Sequence, residues 1–266
     1  MVESLSIRLG TYELAAATEF GPRITSLRRE DSPDFFVRLG SQAVLRQPGG
    51  AVYRLRGGHR LWAGPEIPEV TYAPDDHPCE VVATGDSVQI SAPADSAGLE
   101  KSLTVTLDQE RLLVDHRLTN AGNKSIEVAP WAITQLPLGG RATLPLEPLE
   151  SGLQADRSLV LWPYSRLTDS RIELGGNSVE IRGEAGGELK LGSGPRPGWL
   201  QYQLGEWRFR KRAGPSADGV IPDRGASCQV YVKDAFVELE TLGTLSTLGP
   251  RESVEHREIW EVFSGP

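Results

Sequence analysis

The chain has 266 residues, of which 39% are hydrophobic and 24% are charged, a composition typical of a globular protein; no run of about eighteen apolar residues predicts a membrane-spanning helix. Its net charge of −8 and the lack of a concentrated basic face argue against nucleic-acid binding. Cys79 and Cys228 are too few for a disulfide scaffold or a cysteine zinc site, and the N-terminal residues do not resemble a signal peptide, so we expect a cytoplasmic protein without a membrane partner.

The predicted elements are short β-strands separated by turns. Period-two alternation runs through residues 87–91 and 103–107. Two hairpins are predicted, one from residues 101–107 and 111–118 and one from residues 199–204 and 207–211, and the final strand covers residues 253–263. No stretch has the apolar spacing of a capped helix. We therefore expect one all-β domain, residues 1–266, folded as an antiparallel sandwich whose concave face holds a ligand.

Segment 57–66 carries an unusual set of polar and aromatic side chains between glycines, which allow a close approach of the backbone. His59 can exchange a proton near neutral pH, and Arg60 can hold a planar or anionic group. Trp62 offers a flat apolar face and Glu66 a carboxylate. These four residues are candidate ligand contacts. The alternative is a glycine-proline loop with a buried tryptophan and a hydrogen-bonded core histidine.

Two later segments carry further candidates. On a strand over 129–135, Trp131, Ile133 and Gln135 share one face, and Trp131 and Gln135 are candidate ligand contacts. The alternative is a tryptophan that packs in the core. Between residues 210 and 225, Lys211 is a candidate ligand cation and Asp223 a candidate carboxylate. Their alternatives are a solvated strand end and an ordinary Pro-Asp-Arg-Gly turn.

Residues 236–242 alternate as a strand in which Phe236, Glu238 and Glu240 point to one face. Two carboxylates two positions apart on a strand are separated by about 7 Å. On a buried face such a pair requires a compensating cation or polar ligand, and on an exposed face it is solvated charge. We take Glu238 and Glu240 as candidate site carboxylates.

The sequence offers little support for a metal or a serine nucleophile. The Asp75-Asp76-His77 run is typical of a polar turn, and His116 and His256 lie in charged strands that we predict at the surface. No histidine pair with zinc spacing, no Gly-x-Ser-x-Gly elbow and no phosphate-binding loop is present. We expect neither a metal nor a cofactor.

Four segments, taken in order, resemble the galactose mutarotase-like superfamily, which includes the aldose 1-epimerases. They are the glycine-then-strand segment 20–27, the Thr-Asn-x-Gly hairpin within 118–124, the segment 239–241 and the closing turn 248–252. Within that superfamily, the patterns Gly-Gly-His-Arg-x-Trp, Trp-Ala-x-Thr-Gln and Glu-Leu-Glu-x-Leu-Gly are similar to bacterial proteins of the DUF4380 type.

The resemblance implies an antiparallel β-supersandwich with a concave carbohydrate-binding face. It also implies that Glu240 removes the proton of the anomeric hydroxyl while His59 protonates the ring oxygen, without a cofactor. The chain lacks the second histidine and the Gly-Tyr-Asp-His motif of the epimerases. Arg60, Gln135 or Lys211 is a candidate for the missing donor, and Asp223 for the missing carboxylate.

These observations predict a carbohydrate-active protein, an aldose 1-epimerase or mutarotase acting on a sugar. Basic residues near the acidic pair suit an acidic or phosphorylated derivative. One alternative is a non-catalytic carbohydrate-binding sandwich, and another is a structural or protein-interaction sandwich. A lyase or hydrolase is a more distant alternative. We expect a small carbohydrate as partner and a monomer or homodimer.

Overall fold

The computed structural model describes residues 4–46, 50, 52–148, 152–194, 198–214 and 219–265. Its strands are, in chain order, β1 (Ser4–Leu9), β2 (Tyr12–Ala17), β3 (Arg23–Arg29), β4 (Val44–Arg46), β5 (Val52–Arg54), β6 (Gly58–Gly64), β7 (Glu80–Thr84), β8 (Ser87–Ala92), β9 (Leu99–Asp108), β10 (Arg111–Asn120), β11 (Ile126–Leu136), β12 (Arg141–Pro145), β13 (Ser158–Leu161), β14 (Ile172–Leu174), β15 (Ser178–Arg182), β16 (Leu189–Gly194), β17 (Trp199–Leu204), β18 (Trp207–Ala213), β19 (Cys228–Lys233), β20 (Phe236–Leu242), β21 (Ser246–Leu248) and β22 (Ser253–Ser264). Two helices of four residues each, α1 (Pro68–Thr71) and α2 (Pro222–Gly225), lie in loops.

The described strands form two large antiparallel sheets. The first has the order β1-β2-β3-β6-β11-β20-β19-β16-β13, with β21 added beside β11. The second has the order β14-β15-β12-β17-β18-β22-β10-β9-β8-β7. Strands β4 and β5 form a small separate hairpin.

The main hydrophobic core lies between the two large sheets. Strands β9 and β10 alternate buried and more exposed residues, because one face of each packs inward and the other faces solvent. Strands β6 and β20 are buried at every position. Their outer faces are therefore covered as well, and a second apolar cluster that includes Tyr53, Leu55, Trp62 and Trp131 lies there.

The prediction of an all-β antiparallel sandwich is confirmed. Both predicted hairpins are present, as β9 with β10 and as β17 with β18, and β22 ends one residue beyond the predicted final strand. Among the described residues, no helix is long and apolar enough to cross a membrane. The single domain over residues 1–266 stays a prediction.

The predicted surface position of His116 and His256 is wrong. Both are buried, with 0% and 7% of their surface exposed. They lie opposite each other on β10 and β22, and His116 points into the space between the two sheets. Charged neighbours in the sequence occupy the other, solvated face of these strands, which explains why the segments have the composition of surface strands.

Candidate active site

A cavity of about 220 Å³ lies on the outer face of the first sheet. The strand registers place its floor residues side by side, because Trp62 of β6 is paired with Trp131 of β11, and Ile133 lies between Arg60 and Glu240. Residues two apart on one strand share a face. The predicted common face of Phe236, Glu238 and Glu240 is confirmed, since all three line this cavity.

Glu240 is the most deeply buried carboxylate of the cavity. Its Oε2 accepts hydrogen bonds from Trp131 Nε1 and Lys190 Nζ, each at 2.8 Å. Its Oε1 is buried and has no hydrogen-bond partner among the described residues. Burial raises the pKa of Glu240 to about 7; the Lys190 ammonium opposes this rise and the charge of nearby Glu238 adds to it. The group is therefore poised to take up a proton near neutral pH.

Arg60 and Glu238 form a second buried pair beside Glu240. Arg60 Nη2 donates to Glu238 Oε1 at 2.9 Å, and both side chains are almost fully buried. The guanidinium lies over Trp62, with Cζ 4.1 Å from the ring centre. Arg60 Nε and Nη1 and Trp62 Nε1 have no hydrogen-bond partner among the described residues. The floor thus presents unsatisfied donors close to one unsatisfied carboxylate oxygen.

Aromatic rings form much of the cavity wall. The rings of Trp62 and Trp131 meet edge to face with their centres 5.5 Å apart. Lys190 Nζ lies between Trp131 and Trp162, at 4.7 Å and 4.6 Å from their ring centres. Aromatic faces beside a few fixed polar groups are typical of small-molecule sites, and the flat C–H face of a sugar ring can pack on such rings.

The charges around the cavity are balanced within it. Three cations face four carboxylates, namely Arg60, Lys190 and Lys233 against Glu66, Glu188, Glu238 and Glu240. Every one of these cations contacts a carboxylate, and the hydroxyls of Tyr72 and Tyr231 donate to Glu66 and Glu188. Among the described residues, the cavity therefore has no excess of positive charge for an anionic ligand.

His59 and Lys211 do not line this cavity. His59 alternates with Arg60 along β6 and points between the sheets, where its Nδ1 lies 2.9 Å from Thr134 Oγ1. Lys211 lies in the same interior, and its Nζ is 2.7 Å from Glu258 Oε1. Both side chains are completely buried. The site role predicted for each of them does not fit this placement, because the sheet separates them from the cavity.

Gln135 and Asp223 also lie outside the cavity lining. Gln135 is on the outer face of β11, fully buried, and neither atom of its amide has a partner among the described residues. Asp223 lies in the turn-like helix α2 with a φ of 53°, and its Oδ2 accepts from Gln229 Nε2 at 2.9 Å. The predicted residues that meet at the cavity are Arg60, Trp62, Glu66, Trp131, Glu238 and Glu240.

Several cavity residues were not predicted from the sequence. They are Tyr72, Trp162, Tyr164, Glu188, Lys190, Tyr231 and Lys233. Lys190 carries a recognisable signal, since it stands between two leucines in an alternating strand. Tyr231 and Lys233 likewise alternate with valines on β19. A charged residue in such a strand indicates a polar or covered outer face, but not which other strand supplies its partner.

Neither the family models nor the curated proteins contain a match to this sequence, so the narrower resemblance to the DUF4380 type stays a prediction. The fold is similar to that of several solved structures. A galactose mutarotase-like protein from Lactobacillus casei has a TM-score of 0.61 at 13% identity, over 98% of this chain and 100% of the other. A protein of Escherichia coli K12 provisionally named as an aldose 1-epimerase has a TM-score of 0.60 at 14% identity, over 100% of both chains. The Slr1438 protein from Synechocystis has a TM-score of 0.64 at 12% identity, over 100% of this chain and 97% of the other. The chain therefore has the galactose mutarotase-like β-sandwich fold.

Proposed function

We propose that this protein is an aldose 1-epimerase-like isomerase, which accelerates exchange between the α and β anomers of a sugar bound in the cavity. The observation that carries the proposal is the state of Glu240. One carboxylate oxygen is held by Trp131 and Lys190, and the other is buried without a partner among the described residues. With its pKa raised to about 7, this carboxylate is suited to remove the proton of an anomeric hydroxyl.

The remaining floor of the cavity suits a polyhydroxylated ring. Arg60 Nη1 and Trp62 Nε1 are donors without partners in the described part of the chain, and hydroxyl oxygens are acceptors for them. The faces of Trp131 and Trp162 offer apolar surface to the C–H groups of the ring. The fold similarity to a protein provisionally named as an aldose 1-epimerase supports the same substrate class.

The charge balance favours a neutral aldose over an acidic or phosphorylated sugar. The cations Arg60, Lys190 and Lys233 are all paired with carboxylates of the cavity. An added phosphate would lie near Glu238 and Glu240 without a free cation to compensate it, and close like charges are unfavourable in a partly dehydrated site. The expectation of an anionic sugar derivative therefore has little support from the cavity.

The experiment is saturation-transfer proton NMR between anomeric resonances, run over neutral aldoses, sugar phosphates and uronic acids. We expect the wild-type protein to accelerate exchange of at least one neutral aldose. Glu240→Gln removes the base with almost no change of shape, and we expect it to lower the exchange rate by about 10² to 10⁴ while binding persists. Glu127→Gln is the matched control, because Glu127 is exposed on β11, the strand that carries Trp131.

The outcomes separate this function from its alternatives. Ligand line broadening without faster exchange would replace the isomerase by a non-catalytic carbohydrate-binding protein. A response to phosphates and uronic acids that exceeds the response to neutral aldoses would reverse the assignment of ligand charge. No response across the panel would remove the carbohydrate function and favour a structural or protein-interaction role.

A further inference from the structure

We propose that Lys190 is the general acid of this site and gives its proton to the ring oxygen of the sugar. This inference rests on the proposed isomerase function. Opening a pyranose ring requires removal of one proton from the anomeric hydroxyl and delivery of another to the ring oxygen. His59 cannot deliver that proton, because it lies on the opposite face of β6 with its ring between the sheets. The acid must therefore be another residue of the cavity.

The other cavity donors are poor candidates. Arg60 holds its proton too tightly, since a guanidinium is effectively never deprotonated in proteins. Burial raises the pKa of the Tyr72, Tyr164 and Tyr231 hydroxyls, and those of Tyr72 and Tyr231 already donate to carboxylates. The Lys233 side chain is 40% exposed at the rim and donates to Glu188. None of these groups combines a transferable proton with a position beside Glu240.

Lys190 has both properties. Its Nζ lies 2.8 Å from Oε2 of Glu240, and only 6% of its side chain is exposed. Within the described part of the chain, Glu240 is the hydrogen-bond partner of this ammonium, which carries three protons. The rings of Trp131 and Trp162 flank the nitrogen and fix its position. Two N–H groups therefore remain for the rings and for a ligand.

The pair matches the two oxygens that must react. The anomeric oxygen and the ring oxygen are bonded to the same carbon, so the base and the acid must act side by side. Oε1 of Glu240 and Nζ of Lys190 are neighbours in this way, because Nζ contacts the other oxygen of the same carboxylate. Trp131 Nε1 also holds Oε2, which leaves Oε1 for the substrate.

The reaction balances without a cofactor. Glu240 Oε1 takes the proton of the anomeric hydroxyl, the carbonyl forms, the bond from the anomeric carbon to the ring oxygen breaks, and the ring oxygen takes a proton from Lys190 Nζ. After rotation about the bond between carbons 1 and 2, the same steps in reverse close the ring on the other face of the carbonyl and restore both groups.

This transfer converts a buried ion pair into a neutral amine and a neutral carboxylic acid. A dehydrated ion pair is costly to hold in an aromatic environment, so the open-chain intermediate relieves part of that cost. The raised pKa of Glu240 acts in the same direction, since it reflects a carboxylate that binds a proton readily.

The test compares Lys190→Arg and Lys190→Met with the wild type in the anomeric exchange assay. Arginine keeps the positive charge beside Glu240 but is a poor proton donor. We expect both variants to lower kcat by about 10² to 10⁴, with KM for Lys190→Arg within a few-fold of the wild type. Lys124→Met, at an exposed lysine of the loop before β11, is the control.

The results separate three cases. Near-wild-type kcat in Lys190→Arg would overturn the assignment, because it would show that only the charge is needed. A KM of Lys190→Arg far above the wild-type value with kcat retained would also overturn it, because the lysine would then act in binding. A wild-type protein that binds sugars without exchange would overturn the isomerase function itself, and with it the acid. Because Lys190→Met can perturb folding, sugar binding by Lys190→Arg in the same NMR spectra serves as the check of an intact cavity.

Discussion

His59 Nε2 lies 2.7 Å from Nε2 of His116, and this contact joins the two sheets through the core. Each hydrogen bond around this histidine pair can be assigned one donor and one acceptor. Lys211 donates to Thr134 Oγ1, the Thr134 hydroxyl can donate to His59 Nδ1, His59 Nε2–H to His116, and His116 Nδ1–H to the carbonyl of His256. Both imidazoles are neutral in this arrangement, which agrees with burial as the main cause of their lowered pKa values.

The same histidines and Glu258 form a group whose ligand atoms all lie within 4.8 Å of one another. The geometry fits a hydrogen-bonded network better than a metal centre. Two nitrogen ligands of a tetrahedral zinc ion lie about 3.3 Å apart, which is longer than the observed 2.7 Å between His59 and His116. The Glu258 carboxylate also already forms an ion pair with Lys211, whose Nζ lies 2.7 Å from Oε1.

The buried histidines predict a loss of stability in mild acid. Burial lowers the pKa of His256 to about 4 and lowers those of His59 and His116. Between pH 6.5 and 4 the unfolded chain therefore binds protons that the folded protein does not, and the free energy of unfolding falls with pH. His256 alone accounts for about 3 kcal/mol by pH 4. Glu240, with its raised pKa, opposes this loss by gaining a proton in the folded state.

Urea unfolding at pH 7, 5.5 and 4.5 measures this effect. We expect the midpoint to fall at each step, because three histidines outweigh one glutamate. His77→Gln is the control, since His77 is exposed and lies outside this core network. A midpoint that stays constant between pH 7 and 4.5 would contradict neutral histidines in the core.

We expect that breaking the buried ion pair between Lys211 and Glu258 destabilises the protein much more than breaking an exposed ion pair. Lys211→Met leaves the Glu258 carboxylate buried without its cation, and we expect a loss of about 3 to 5 kcal/mol. The double variant Lys211→Met/Glu258→Gln should recover part of that loss, because no buried charge then remains. Chemical denaturation measures both. Arg257→Gln, which breaks an exposed pair with Asp115, should cost less than about 1 kcal/mol; an equal cost at both pairs would refute the distinction.

The raised pKa of Glu240 predicts how the proposed isomerase activity declines at low pH. A base must be deprotonated to act, so kcat/KM should fall about tenfold per pH unit below the pKa of the free enzyme. With that pKa at about 7, we expect half of the maximal kcat/KM near neutral pH. The measurement is the anomeric exchange rate between pH 5 and 9. A flat profile over this range would exclude Glu240 as the base.

Trp131→Phe should shift the pH at which kcat/KM declines in acid. The indole N–H of Trp131 donates to Glu240 Oε2 and lowers the pKa of that carboxyl, so its removal should shift the decline to higher pH. Trp62→Phe is the matched comparison, because Trp62 Nε1 has no hydrogen-bond partner among the described residues. We expect that variant to weaken sugar binding and leave the decline in place. Equal shifts in the two variants would indicate a general effect of the ring change.

Much of the fold could be predicted from the sequence, because period-two alternation is read directly along each strand. The same alternation identified the shared face of Glu238 and Glu240. The prediction for segment 57–66 did not use this alternation, because the adjacent residues His59 and Arg60 were expected to contact the same ligand. As strand β6, this segment sends His59 and Arg60 to opposite faces. Both faces are buried, so burial alone gives no sign of which residue meets a ligand.

The remaining site residues depend on pairings between distant strands. Lys190 and Glu240 are 50 positions apart, and two other strand pairings, β16 with β19 and β19 with β20, bring them together. No local pattern encodes this neighbourhood. The burial of Lys211 could not be predicted for a related reason, since a lysine in a strand is usually exposed and its buried partner lies on the adjacent strand β22.

Strand β6 contributes to the core network with one set of alternate residues and to the cavity with the other. An insertion or deletion of a single residue within it would exchange the two sets, placing Arg60 and Trp62 in the core and His59 and Leu61 in the cavity. Both polar systems would be lost together. Change within β6 is thus confined to substitutions that keep its length and phase, because each of its seven buried positions faces either the cavity side or the core side of the sheet.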